Sequence, residues 1–137
     1  KAAGQASLNA ASLDKRALTR DRVRMTIFSI AIGGALGAVL RYLLGLAVAF
    51  PLGTLTINVL GSFAMGLAFV LLPPRFAPLV MVGVLGGFTT FSAFSLDILT
   101  LFERGQPTTA LVYGTVTVLG SVAAVFFGIW CVRNGLA

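Results

Sequence analysis

Histidine is absent from this chain, and cysteine occurs once, at Cys131 near the end of the last apolar run. A lone thiol closes no intrachain disulfide, and with no imidazole to join it there is no zinc site, so redox and zinc chemistry are excluded. The same absence removes the ordinary nucleophile–base pair and the metal cluster, which leaves enzymatic function the weakest class. Acidic residues are scarce too: of four in 137 residues, only Asp97 and Glu103 follow the first 25. A proton or cation relay across a membrane needs carboxylates in mid-span, and neither residue stands there. What fills the chain is apolar. Hydrophobic residues make up 58% and mean hydropathy is +0.99, which places the chain in the membrane class before any motif is read.

Charge is unevenly placed, because eight of the 14 charged side chains (Lys1, Asp14, Lys15, Arg16, Arg20, Asp21, Arg22, Arg24) precede Thr26. A net charge of +6 concentrated beside the first apolar segment favours attraction to anionic lipid over nucleic-acid binding. Residues 1–24 do not fit a signal peptide, since the charges come late and the following apolar run is too long. They read as a polar basic tail, either foreign to the natural protein or an extension upstream of an internal start at Met25, with residues 25–137 as the transmembrane domain. Within the tail, Ala-Ser-Leu-Asp-Lys-Arg-Ala-Leu suggests a short amphipathic helix capped by Ser12 or Asp14.

A bilayer core of about 30 Å needs roughly 20 apolar residues per helix. Four segments meet this: Ile27 to Phe50, Thr54 to Leu72, Pro78 to Phe102 and Thr108 to Val132, separated by Pro51-Leu52-Gly53, Pro73-Pro74 and Glu103-Arg104-Gly105-Gln106-Pro107. The expectation is an all-α, multi-pass membrane protein whose short loops force antiparallel order with both termini on one side. Outside the tail, Arg75 and Arg133 on the terminal side nearly balance Arg104 on the other. So weak a bias permits insertion both ways and pairing of two oppositely oriented copies, whereas the basic tail pulls the N-terminus toward the cytoplasm.

Small and polar residues recur at helical spacing. Gly33, Gly37, Arg41 and Gly45 fall on one face of the first span, and Ser62 and Gly66 share a face of the second, as expected for close helix packing. Arg41 lies well inside an apolar segment and either snorkels or faces a water-filled, anion-attracting vestibule, the preferred reading. Thr54, Asn58 and Ser62 form a stripe on the second span, and Tyr113, Thr117 and Ser121 form another on the fourth. A single membrane Ser or Thr usually serves interhelical bonding, but two stripes rich in donors and free of carboxylates favour a polar path for an anion.

The third span reads Gly83-Val84-Leu85-Gly86-Gly87-Phe88-Thr89-Thr90-Phe91-Ser92-Ala93-Phe94-Ser95. Adjacent glycines followed by two β-branched threonines make a poor helix centre, so a break near mid-membrane is expected. A break frees backbone carbonyls, and these are natural cation ligands. Phe91 and Phe94 share a face beyond it; from spacing alone such a pair is ordinary core.

Three motifs in order resemble those of the Fluc (CrcB) family of fluoride channels. Gly86 to Ser95 is similar to its GG-x-TTFS-x-FS signature, Gly53-Thr54-Leu55-Thr56-Ile57-Asn58-Val59-Leu60-Gly61 to its GT-x-x-x-N-x-x-G motif, and Gly33 to Tyr42 to its first helix, a match over residues 27 to 132. The resemblance implies a dual-topology homodimer with two antiparallel pores, and a structural sodium ion on the dimer axis held by the backbone carbonyls of Gly86 and Thr89. It implies pore roles for Phe91, Phe94, Asn58, Thr90 and Ser92, and a hydroxyl track of Tyr113, Thr117 and Ser121. Ala93 stands where the family commonly has a hydroxyl residue, and Val125 continues the track without one. The expected function is passive export of fluoride across a bacterial-type inner or plasma membrane, conferring fluoride resistance. The rival is a small dual-topology multidrug or cation exporter, which would need an embedded carboxylate where this chain has Arg41.

Overall fold

The computed structural model describes the backbone of residues 2–135 and the side chains of residues 18–135. Helix α1 spans Ala2–Ala47, α2 spans Leu52–Leu71, and α5 spans Pro107–Gly135. Between α2 and α5 lie a 3-10 turn at Pro74–Phe76, a π-helix at Pro78–Leu85, the short α3 at Gly86–Phe88, and α4 at Phe91–Glu103. These make four membrane-spanning units, Leu18–Ala47, Leu52–Leu71, Pro74–Glu103 and Pro107–Gly135, and the protein is an all-α, multi-pass membrane protein. At 1.5 Å per residue α1 is about 69 Å long, more than twice the bilayer core, so its first turns project beyond the membrane. Its backbone continues without a break through positions 12 and 14, so the helix start expected at Ser12 or Asp14 is not observed; the side chains there lie outside the described residues.

The third span departs from a simple helix in two ways. Its first half is π-helical, a widening that the apolar run Pro78–Leu85 does not announce. The break falls at Thr89 and Thr90, both extended (ψ 156° and ψ 122°), beginning two residues past Gly87. Gly86 and Gly87 themselves remain helical, and the two β-branched residues interrupt the ladder. The turn into α5 follows from Gly105, whose φ of 70° suits a residue without Cβ. There the Gln106 N–H donates to the Leu101 carbonyl at 2.9 Å and the Gly105 N–H to that of Phe102 at 3.0 Å, a Schellman closure, and Pro107 opens the next helix.

Glycine sets the packing. A methyl group at Gly83 would lie 2.9 Å from Gly33 Cα, one at Gly87 would lie 2.6 Å from the Gly34 carbonyl oxygen, and one at Gly37 would run into the Val84 carbonyl. The first and third spans therefore touch backbone to backbone, as the Gly33/Gly37 spacing suggested; Gly45 has open space instead. The second and fourth spans meet in the same way at Gly66 and Gly128. Little of the chain is internal: Phe94, Leu101, Ala110 and Tyr113 form the buried cluster, with Leu55 and Ile98 against it. Large apolar side chains such as Leu36, Phe69, Val82 and Phe126 are exposed, the arrangement of helices that face hydrocarbon or another subunit.

Candidate functional site

The break in the third span is held by one side chain of the second. The Thr90 N–H donates to Asn58 Oδ1 at 2.8 Å, and Asn58 Nδ2 donates to the Thr90 carbonyl at 3.0 Å. A carboxamide matches a peptide group in this way because it carries one acceptor and a two-hydrogen donor, and the pairing leaves one Asn58 N–H uncommitted. Thr90, 8% exposed, also caps α4: its Oγ1 accepts from the Ala93 N–H at 3.2 Å and lies 3.2 Å from Ser92 Oγ.

These bonds decide which backbone groups are left over. An unbroken helix would pair the Gly86 carbonyl with the Thr90 N–H and the Thr89 carbonyl with the Ala93 N–H. Here both donors are diverted, to Asn58 and to the Thr90 hydroxyl, so the two carbonyls are released. The Thr89 hydroxyl stays local, donating to Leu85 at 2.9 Å. Beside the freed carbonyls the N-terminus of α4 opens with its partial positive charge, so one break offers donors on one side and acceptors on the other.

An open cleft of about 480 Å³ runs along this feature. The second span contributes Asn58 and Ser62, the third contributes Gly86, Thr89, Thr90, Phe91 and Phe94, and α5 contributes Thr117, Ser121, Val118 and Val122. No lining residue carries a formal charge. Phe91 is 75% exposed at the cleft's edge, whereas Phe94 is 6% exposed and belongs to the core; their ring centroids lie 5.3 Å apart at 47°. Phe94 in turn contacts the Tyr113 ring at 5.7 Å. Both rings therefore meet the cleft, but only Phe94 is also part of the buried core.

The structure gathers Asn58, Thr90, Phe91, Phe94, Thr117, Ser121, Gly86 and Thr89 around one cleft. Tyr113 does not line it. Its hydroxyl donates to Asp97 Oδ2 at 2.9 Å, an i−16 contact that stripe spacing could not reveal. Ser92 is exposed and tied to Thr90 rather than set in the lining. Arg41 is half-buried on α1 between Gly37 and Gly45, outside the cleft, and has no ion pair among the described residues. Ser62 lines the cleft as the third member of its stripe, though the family motif does not single it out.

Known proteins resemble this chain over most of its length. The family model described as CrcB-like protein, Camphor Resistance (CrcB), matches residues 28–129. A protein of Cereibacter sphaeroides named fluoride-specific ion channel FluC is 47% identical over 121 residues, covering 82% of this chain and 98% of the relative. Proteins of the same name from Paracoccus denitrificans and Mesorhizobium japonicum are 49% and 41% identical over 116 residues, covering 78% and 77% of this chain and 94% of each relative.

Proposed function

Because the chain belongs to the CrcB family, we infer that it is a fluoride-specific ion channel of the cell membrane and conducts the anion passively, without catalysis. The observation that carries the reading is the uncharged, donor-bearing cleft at the broken third span. Fluoride is small and strongly hydrated, so a narrow path must replace its water with N–H and O–H groups. The free Asn58 N–H, those cleft hydroxyls whose protons are not already given to the backbone, and the first turn of α4 supply these, while the edges of Phe91 and Phe94 present their positive rims. A multidrug exporter is not supported: the relatives carry the fluoride-channel name, and no carboxylate lines the cleft. The direct test is fluoride efflux from liposomes followed with a fluoride electrode, chloride serving as control. Fluoride release with retained chloride is expected; equal release of both, or of neither, overturns the reading.

The working unit is a homodimer of oppositely oriented subunits. Support comes from the cleft's open side and the exposed Phe91 ring at its edge, both of which a second copy would cover. A sodium ion on the dimer axis fits the released carbonyls of Gly86 and Thr89, uncharged oxygens of the kind that ion prefers. Bound there, it would supply positive charge that holds two carbonyl-rich breaks together. Replacing sodium with a large organic cation is expected to lower the dimer fraction seen by light scattering in detergent. A stable monomer in sodium, or a dimer indifferent to its removal, counts against this assembly.

A further inference from the structure

The polar stripes of α2 and α5 lie face to face in register. As second and fourth spans the two helices run parallel, and their closest approach fixes the offset: a methyl group at Gly66 would run into the Val125 carbonyl. One turn earlier on each helix stand Ser62 and Ser121; another turn back stand Asn58 and Thr117. All four line the cleft. Around Gly66 the backbones meet, since a methyl at Gly128 would lie 2.5 Å from the Phe63 carbonyl oxygen and 3.1 Å from Leu67 N. The cleft therefore has a closed end, and Ser62 with Ser121 forms its last polar level.

Each hydroxyl has one proton to give. Thr117 gives its proton to the Tyr113 carbonyl at 2.7 Å, Thr89 gives its own to Leu85, and Thr90 and Ser92 share one between them. At the closed end the protons are uncommitted. Ser121 Oγ is buried with no partner, and Ser62, on the cleft wall, makes no hydrogen bond among the described residues, to Ser121 or to anything else. A buried hydroxyl left unpaired is costly and calls for an explanation.

Resting on the fluoride-channel reading, we propose that Ser62 and Ser121 together form a two-hydroxyl site for a small anion at the closed end of the cleft, with Ser62 a direct fluoride contact. One donor comes from each helix, and the flanking Val118 and Val122 add no competing acceptor side chain. The glycine contact one turn on keeps the helices close, so the site is narrow and suits an ion that has shed most of its water. Ser121 alone, the last hydroxyl of the α5 stripe, would offer half a shell.

The test uses full-length dimer in liposomes, with flux reported per folded dimer after size exclusion and thermal melting. Ser62→Ala is expected to cut fluoride flux about tenfold, the scale of one hydrogen bond to a charged group, while Ser62→Thr, which keeps the hydroxyl, stays within about twofold of wild type. Should Ser62→Ala fold poorly, Ser62→Cys keeps the volume with a weaker donor and is expected to fall between. The double variant Ser62→Ala/Ser121→Ala should be little worse than the slower single, because both hydroxyls hold one ion. Wild-type flux in Ser62→Ala, or fully additive losses in the double, overturns the shared site; absence of fluoride flux in the wild type would instead overturn the channel reading.

Discussion

Asn58→Asp is expected to abolish fluoride flux while leaving the protein folded. The substitution keeps the acceptor for the Thr90 N–H but replaces the donor that meets the Thr90 carbonyl with an oxygen, setting two acceptors where the structure has a 3.0 Å hydrogen bond. It also removes the one uncommitted N–H and places a negative charge in the cleft. At about 4 Å and an effective dielectric of 20, repulsion between that charge and a passing anion is about 4 kcal/mol, roughly a thousandfold in occupancy. Asn58→Ala separates the causes: it loses both bonds to Thr90 without adding charge, so its flux should fall less than that of Asn58→Asp. The measurement is liposome efflux on material confirmed as dimer. Flux of Asn58→Asp within about twofold of wild type would take Asn58 out of the conduction path.

Why Asn58 matters was only partly legible in the sequence. Its place in a stripe with Thr54 and Ser62 was plain from spacing, and the family motif marked it. Neither indicated that most of its amide is spent on Thr90, because a bond between residues 32 apart depends on how the second and third spans pack. The four spans were legible because apolar length alone defines them. Their ends shifted by a few residues where prolines and Gly105 act, as in α5 beginning at Pro107 instead of Thr108. The break was legible as a region, from the two glycines and the two threonines together, but not which of them would leave the helix. Two extended threonines, one locked by Asn58, form it.

Stripe spacing shows which residues share a face, and it does not show where their protons go. Tyr113 looked like the first member of a donor track, yet its single proton is given to Asp97, and the Thr117 proton is given to the backbone. Register between stripes is likewise a tertiary property, here fixed by Gly66 against Val125. The π-helix had no signature: Pro78–Leu85 is an apolar run that would serve an α-helix equally well.

The second large effect concerns Phe91 and Phe94, whose environments in one subunit differ so much that a single explanation in terms of packing fails. Phe94, 6% exposed among Leu101, Ala110 and Tyr113, is core as well as cleft wall, and truncation to Ala should cost about 3–5 kcal/mol of stability. Phe91, 75% exposed, supports almost nothing within its own subunit, so Phe91→Ala should leave the subunit's melting temperature nearly unchanged. Ile is the informative replacement for both, because it fills much of the space while lacking a ring edge. If the positive edges hold the anion in a low-dielectric path, Phe91→Ile should keep the dimer and lower fluoride flux about tenfold or more, the upper range of an aromatic-edge contact. Phe94→Ile should lower flux comparably but also show a measurable loss of stability, and Met, larger and polarisable, should recover part of the flux at the exposed site first. Each variant is purified, confirmed as dimer by size exclusion, and compared by efflux per folded protein. Wild-type flux per dimer in both Ile variants would mean that the rings only pack and that the anion passes elsewhere; loss confined to Phe94→Ile would mean that only the Phe94 edge meets the anion and would remove Phe91 from the path.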